Sequence, residues 1–245
     1  MKHILVLGGT GYLGPEIIKS LLSDDFLVSS ISRKPMPIDF NDKVPNFEHF
    51  IFEIEEKESF CSLLDNITIE KGKLDSIIIM TNKGTRLINL NQDFDEFAKE
   101  MSNGPTVTYI ILSTCRNYLK NDSSIVVFGS LWASKVPFKG LYLDLPIEPS
   151  LSLCASKAAL NQLVVNFAEL YAKDKIRVNV ITPGWFPRPG KTERLDYIEQ
   201  IIFRTPLGRI GKPQDLVGPV KFLIGDSSKF ITGQNLVVDG GFNLY

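Results

Sequence analysis

Ile4-Leu5-Val6-Leu7-Gly8-Gly9-Thr10-Gly11-Tyr12-Leu13-Gly14 joins a short apolar run to glycines spaced three apart, and a helical pattern over residues 15–22 follows. Four apolar residues without alternation read as a strand covered on both faces. In this setting Gly8 permits a tight turn, Gly11 lets backbone approach a pyrophosphate, and Gly14 lets the helix pack close to the strand. The first-turn amides and the helix dipole then favour an anion. Thr10, Tyr12 and Leu13 complete the loop and are read with it as cofactor-binding residues. A plain glycine turn is the alternative; the strand before and the helix after argue against it. Pro15 suits a first helical turn, where its missing N–H had no partner.

The same alternation continues outward. Strands are expected at residues 26–31, 50–54, 77–80, 125–128, 178–181 and 236–238. Helices are expected at 59–64, somewhere within 94–119, and at 152–171, 193–203 and 214–224. Strands separated by helices imply a parallel sheet, and right-handed crossovers give a doubly wound α/β fold of Rossmann type. The expectation is a seven-stranded sheet with helices on both faces, in one domain spanning residues 1–245. No internal repeat or linker-like tract interrupts it.

Composition excludes several classes. Hydrophobic residues make up 44% and charged residues 22%, which argues against a disordered chain. Twenty-seven basic against 28 acidic residues leave a net charge of −1, so nothing draws the whole chain to nucleic acid or an anionic membrane. No run approaches the ~20 apolar residues of a membrane span, and the stretch from Ile4 to Leu7 is too short for a signal peptide. Cys61, Cys115 and Cys154 are too widely spaced for a disulfide framework, so a reducing cytoplasm is the expected setting. Two histidines, His3 and His49, and no CxxC give no reason to expect a metal site.

The end of the second strand selects the dinucleotide. An acidic residue there suits the ribose hydroxyls of NAD; basic residues suit the extra phosphate of NADP. This chain has Ser32-Arg33-Lys34 with no carboxylate beside them in sequence. A guanidinium is permanently charged and bidentate, so NADP is favoured over NAD; two solvated surface cations are the bland alternative.

These features, with later motifs in matching order, resemble the short-chain dehydrogenase/reductase family over essentially the whole chain. The motifs are Thr81-Asn82-Lys83-Gly84, Ser130 after the fifth strand, Ala155-Ser156-Lys157-Ala158-Ala159, Pro183-Gly184, Pro206-Leu207-Gly208-Arg209, Lys212-Pro213-Gln214-Asp215, Ile231-Thr232-Gly233-Gln234 and Asp239-Gly240-Gly241. The GxxGxxG spacing is closer to extended or atypical members than to ordinary ones. The resemblance implies hydride transfer between a nicotinamide and a hydroxyl or carbonyl carbon. The cofactor carries the hard chemistry, and the protein positions and polarises. It further implies that Thr81, Asn82, Gly84, Pro183 and Gly184 contact the cofactor. Ser130 would steady the reacting oxygen, and Lys157 would hold the ribose. Dimers or tetramers are implied as well.

One family residue has no counterpart. The tyrosine that exchanges the proton lies four residues before the lysine; here that residue is Leu153, and residues 150–156 contain no tyrosine. Losing a positioned acid/base costs about 10²–10⁴ in rate, or roughly 3–5.5 kcal/mol of barrier. Tyr142, Ser150 and Cys154 are candidate replacements, as are a substrate hydroxyl and an ordered water. Asn103 is either the family's relay asparagine or a turn residue, because Gly104-Pro105 breaks the helical pattern there. Arg188 and Lys191 could meet an anionic substrate, and Trp185 and Phe186 could form a substrate wall. The long span from Trp132 to Glu148 resembles bacterial oxidoreductases of surface-sugar pathways, and an aromatic, charged loop suits a sugar or nucleotide-sugar.

Overall fold

The computed structural model describes residues 1–37, 44–54, 56–81, 93–135, 151–190 and 195–244. Seven parallel strands form one sheet in the order β3-β2-β1-β4-β5-β6-β7. They are β1 (His3–Leu7), β2 (Leu27–Ser32), β3 (Phe47–Ile51), β4 (Leu74–Ile79), β5 (Leu119–Phe128), β6 (Arg177–Pro183) and β7 (Asn235–Val238). The order reverses between β1 and β4, where Leu7 lies opposite both Ile31 and Ile79. In such sheets the crevice at the carboxyl ends of the two strands flanking the reversal is where ligands bind.

Strand residues alternate between two cores. Leu5, Leu7, Ile77, Ile79, Ile125 and Val127 face one side, against α2 (Lys57–Lys71), α4 (Val107–Cys115) and α5 (Leu151–Tyr171). Ile4, Val6, Val28, Ile78 and Val126 face the other, against α1 (Gly14–Ser23) and α7 (Val217–Ile224). Both faces are dry, which is why these strands read as unbroken apolar runs. Among the described residues the remaining α-helices are α3 (Phe94–Met101) and α6 (Leu195–Arg204). Among the described residues no helix is long and apolar enough to cross a membrane.

Four elements differ from the sequence expectation. The fourth strand begins at Leu74, three residues before the apolar run that marked it. The third strand begins three residues earlier, at Phe47; it is an edge strand, so its half-exposed Glu48 and His49 hide the start. The fifth strand starts at Leu119, with an exposed polar stretch before its buried half. The single long helix over 94–119 is broken. Between α3 and α4 the residues Ser102–Thr106 form a π turn with Pro105 inside it. Proline lacks an N–H and its ring would strike the carbonyl four residues back, that of Met101. Widening the turn relieves the clash. The Thr106 hydroxyl donates to Met101 O at 3.3 Å and the Thr108 hydroxyl to Gly104 O at 3.0 Å, so both carbonyls are satisfied.

Two C-terminal motifs are structural. Val178 N–H donates to Thr232 Oγ1 at 3.1 Å, while Asn179 donates to Ile231 O at 2.9 Å and accepts from Gln234 N at 3.0 Å. Thus Ile231-Thr232-Gly233-Gln234 delivers the chain to the start of β7 in register with β6. Asp239 accepts from the amides of Gly241 and Asn243, both at 2.8 Å, and closes the final turn.

His3 opens β1 fully buried. Its Nδ1 donates to Gly72 O at 3.0 Å, so in the neutral ring Nε2 accepts from the Ser29 hydroxyl at 2.9 Å. Burial lowers its pKa below the ordinary imidazole value, with the Gly72 carbonyl pulling the other way. The unfolded chain therefore binds this proton first, and the stability contributed by neutral His3 is lost as pH falls below about 6.5. The urea midpoint should drop more between pH 7.5 and pH 5 in the native chain than in His3→Gln; equal drops would show that another group governs the acid limb.

Candidate active site

The turn after β1 sits directly on the turn after β4. Gly8 has φ +86° and donates its N–H to Ile31 O at 2.8 Å; a Cβ there would lie 2.8 Å from the carbonyl of Met80. Gly11 N donates to Gly8 O at 3.2 Å, and Gly14 N to Gly11 O at 3.1 Å. A Cβ on Gly14 would come 2.1 Å from Gly9 O, and one on Gly9 would come 2.6 Å from Ile18. Gly11 is different: the nearest atom to its would-be Cβ is Gly8 O, at 3.5 Å. Gly8, Gly9 and Gly14 are thus required by packing, whereas Gly11 stands open toward the crevice. Thr10 N lies 3.4 Å from Ser32 Oγ and ties the loop to the end of β2.

A cleft of about 520 Å³ opens there. The loop contributes Gly8, Thr10 and Gly11; the end of β2 contributes Arg33 and Lys34; the turn after β4 contributes Thr81; the π turn contributes Asn103; and the loop after β6 contributes Arg188. Glu53 lines it too, and its Oε1 is 3.5 Å from Arg33 Nη1. The acid absent beside Arg33 in sequence is therefore supplied from beyond β3. Both side chains are nearly half exposed, so this single contact is worth at most about 1 kcal/mol. Three cations against one carboxylate leave the cleft positive on a chain of net charge −1, a local field suited to phosphates.

Several predicted residues stand off this cleft. Gly14 is consumed by its contact with Gly9. Leu13 packs against the core beneath α1, and Tyr12 is partly exposed on the loop. A Cβ on Gly184 would meet Asp239, and Pro183 pairs with Val238 across β6 and β7. Asn82, Gly84, Tyr142, Ser150 and Lys191 lie outside the described residues.

Ser130 follows β5 and accepts from Trp132 N at 3.2 Å, capping the short turn Leu131–Ala133. That bond uses a lone pair and leaves the hydroxyl hydrogen free to donate. Helix α5 packs against this turn and against the π turn, so Ser130, Asn103 and Lys157 stand on three adjoining elements. Lys157 is only 5% exposed, and on α3 Glu100 is 1% exposed. Burial lowers the Lys157 pKa, and the Glu100 carboxylate works against that. Leu153 lies one turn before Lys157 on α5, and its carbonyl accepts from the Ser156 hydroxyl at 3.0 Å. Cys154 is half buried, and burial raises its thiol pKa.

Trp185, two residues past Pro183, is the hub of an aromatic cluster. Its ring meets Trp132 at 5.8 Å, Tyr197 at 5.7 Å and Phe242 at 6.0 Å, all edge-on. Sequence reading missed Glu53 and Glu100. Glu53 carries one local signal, its place just after a strand; Glu100, one of three acids in Phe94–Met101, carries none.

Residues 43–243 match the family model described as enoyl-(acyl carrier protein) reductase, and the chain belongs to the short-chain dehydrogenase/reductase family. A tropinone reductase homologue of Arabidopsis thaliana is 29% identical over 254 residues, covering 99% of this chain and 92% of its own. The 7α-hydroxysteroid dehydrogenase of Clostridium sardiniense is 27% identical over 200 residues, covering 79% and 72%. Among solved structures, a short-chain dehydrogenase from Leptospira borgpetersenii with bound NAD+ superposes with a TM-score of 0.89 at 26% identity, covering 99% and 92%. These relatives carry names with dissimilar substrates, so the likeness is one of scaffold and reaction class.

The glycine geometry separates two mutations. Gly14→Ala should cost about 1–3 kcal/mol, because backbone must shift to admit the methyl group. Gly11→Ala should leave the unfolding free energy, measured by urea titration, within about 0.5 kcal/mol of the native value while weakening dinucleotide binding. Equal stability losses in the two variants would contradict this division.

Proposed function

We propose that the chain is an NADP-preferring oxidoreductase moving a hydride to or from a hydroxyl or carbonyl carbon of a polar small molecule, a sugar or nucleotide-sugar. The observation that carries this reading is the positive cleft at the sheet's reversal point, lined by Gly8, Thr10, Gly11, Arg33, Lys34 and Thr81. Its fit to a dinucleotide rests on three features. The turn excludes side chains at Gly8, Gly9 and Gly14 and leaves the Gly11 backbone open to the crevice, the cleft volume falls in the range of cofactor sites, and the first turn of α1 supplies a dipole for the diphosphate. When bound, the nicotinamide supplies or accepts the hydride.

The chain's own residues then divide the work. Arg33 and Lys34 hold the 2′-phosphate. A dianionic phosphate outcompetes the single Glu53 carboxylate for Arg33, since that ion pair is weak. Thr81, with Asn82 and Gly84 beyond it, borders the adenosine side, and Pro183-Gly184 borders the nicotinamide. Ser130 donates to the reacting oxygen, and Lys157 to the ribose hydroxyls. Because Leu153 has no proton to give, the proton comes from another group, for which Tyr142 and Ser150 are the protein candidates. Trp132 and Trp185 offer an apolar wall for a sugar face, and Arg188 offers a charge for an anionic substrate. Phe94, Phe97, Tyr109 and Val165 are exposed on α3, α4 and α5, which supports a homodimer or homotetramer. A cytoplasmic setting suits the three free thiols.

Leu153 favours a second reading, a cofactor-binding homologue without hydride chemistry. The two readings separate by experiment. NADPH should bind tighter than NADH by about tenfold or more, and Arg33→Ala should erase the difference; equal native affinities would remove the NADP claim. Leu153→Tyr should raise carbonyl reduction by about 10²-fold or more, recovering part of the missing acid catalysis. Zero turnover in both proteins over a broad panel, with cofactor bound, would favour the non-redox reading.

A further inference from the structure

Ser32, Arg33 and Lys34 are gripped one by one from the neighbouring edge strand. The carbonyl of Ser32, the last residue of β2, accepts from Phe52 N at 2.9 Å. Arg33 Nη1 lies 3.5 Å from Glu53 Oε1. Lys34 O lies 2.9 Å from His49 Nε2. A carbonyl only accepts, so Nε2 carries the hydrogen of the neutral ring and donates it. Phe52 and Glu53 follow β3 in the chain, but His49 lies within it and reaches forward. Its register partner on β2 is Ser30, four residues before Lys34.

The sequence explains why a side chain takes over here. Pro35 and Pro37 follow the two cations. Neither has an N–H to give a ladder, and each disfavours helix at the residue before it. The bond from Phe52 to Ser32 is thus followed by two exposed residues, Arg33 and Lys34, that line the cleft. A lysine is a point charge on a flexible stem, so its aim depends on the backbone that carries it. His49 holds that backbone at Lys34, and Met36 packs against the core under α1.

His49 stands on the side of the phosphate turn. Side chains alternate along a strand, so in parallel register partners face the same way. Its neighbour Ser30 is fully buried, and Ser30 Oγ lies 2.8 Å from where a Cβ on Gly9 would sit. One cross-strand neighbour therefore separates the imidazole from the turn that faces the crevice. Among the described residues the ring makes a single hydrogen bond, since Nδ1 is buried and unpaired. Its polar contribution is one donor at the ε position, aimed at the loop of the two cations.

We propose that His49 is a positioning residue for cofactor choice: by fixing the Lys34 carbonyl it aims Arg33 and Lys34 at the 2′-phosphate of NADP. This rests on the reading of the cleft as an NADP site.

The test is the ratio of NADPH to NADH affinity in the full chain, read by cofactor fluorescence. His49→Leu should lower that preference about fivefold, the range expected for one hydrogen bond. His49→Gln places an amide nitrogen near the position of Nε2 and should keep most of the preference. His49→Asn is too short to reach Lys34 and should match His49→Leu. With Arg33→Ala and Lys34→Ala already in place, His49→Leu should change the ratio no further. Equal losses for both cofactors in His49→Leu would show a merely structural role and overturn the proposal, as would a full loss of preference in His49→Gln. If His49→Leu does not fold, the contrast between His49→Gln and His49→Asn decides in the same way. A native preference that survives His49→Leu overturns the proposal alone, whereas a native chain that does not prefer NADPH overturns the NADP reading and the proposal with it.

Discussion

The closeness of two backbones at the sheet's reversal governs the site. Gly8 lies so near the carbonyl of Met80 that no side chain fits between them. That contact brings the turn after β1 against the turn after β4 and leaves the crevice floor made of peptide rather than side chain. A diphosphate needs such a floor, because amide N–H groups can reach it only where no Cβ intervenes. The charges follow from the same placement. Arg33 and Lys34 arrive from the adjoining strand β2, Glu53 from beyond β3, and Arg188 from the loop after β6.

The charges at the cleft and those in the interior differ in kind. Arg33 and Glu53 are solvated, so their pairing is weak and exchangeable. Lys157 on α5 and Glu100 on α3 are buried, where a charge costs far more than it does in solvent. The rim of the cleft can therefore trade partners with a ligand.

The fold was largely legible because the central strands are apolar on both faces. Ile4 to Leu7 and Ile77 to Ile79 admit no other reading once glycines and helices flank them. What was obscured was polar or interrupted. Phe47-Glu48-His49 belongs to an edge strand and carries no buried pattern. Asn103-Gly104-Pro105 announced a break but not its form, since whether proline ends a helix or widens a turn depends on Thr106 catching the freed Met101 carbonyl. The loop glycines of the site were readable from spacing alone. Glu53 and Glu100 were not. Glu53 meets Arg33, and Glu100 meets Ser156, only through packing of distant segments, and no local window holds both partners.

The division of the interior by the sheet has a further consequence. Leu5 and Leu7 pack with one set of helices, and Ile4 and Val6 with another. Nothing but a single layer of hydrogen-bonded chain separates the two regions. A volume change under α1 is thus screened from the side that carries α4 and α5, and perturbations on opposite sides approach independence. A lineage could remodel the side that carries α4 and α5 residue by residue while α1 and α7 keep their packing on the other.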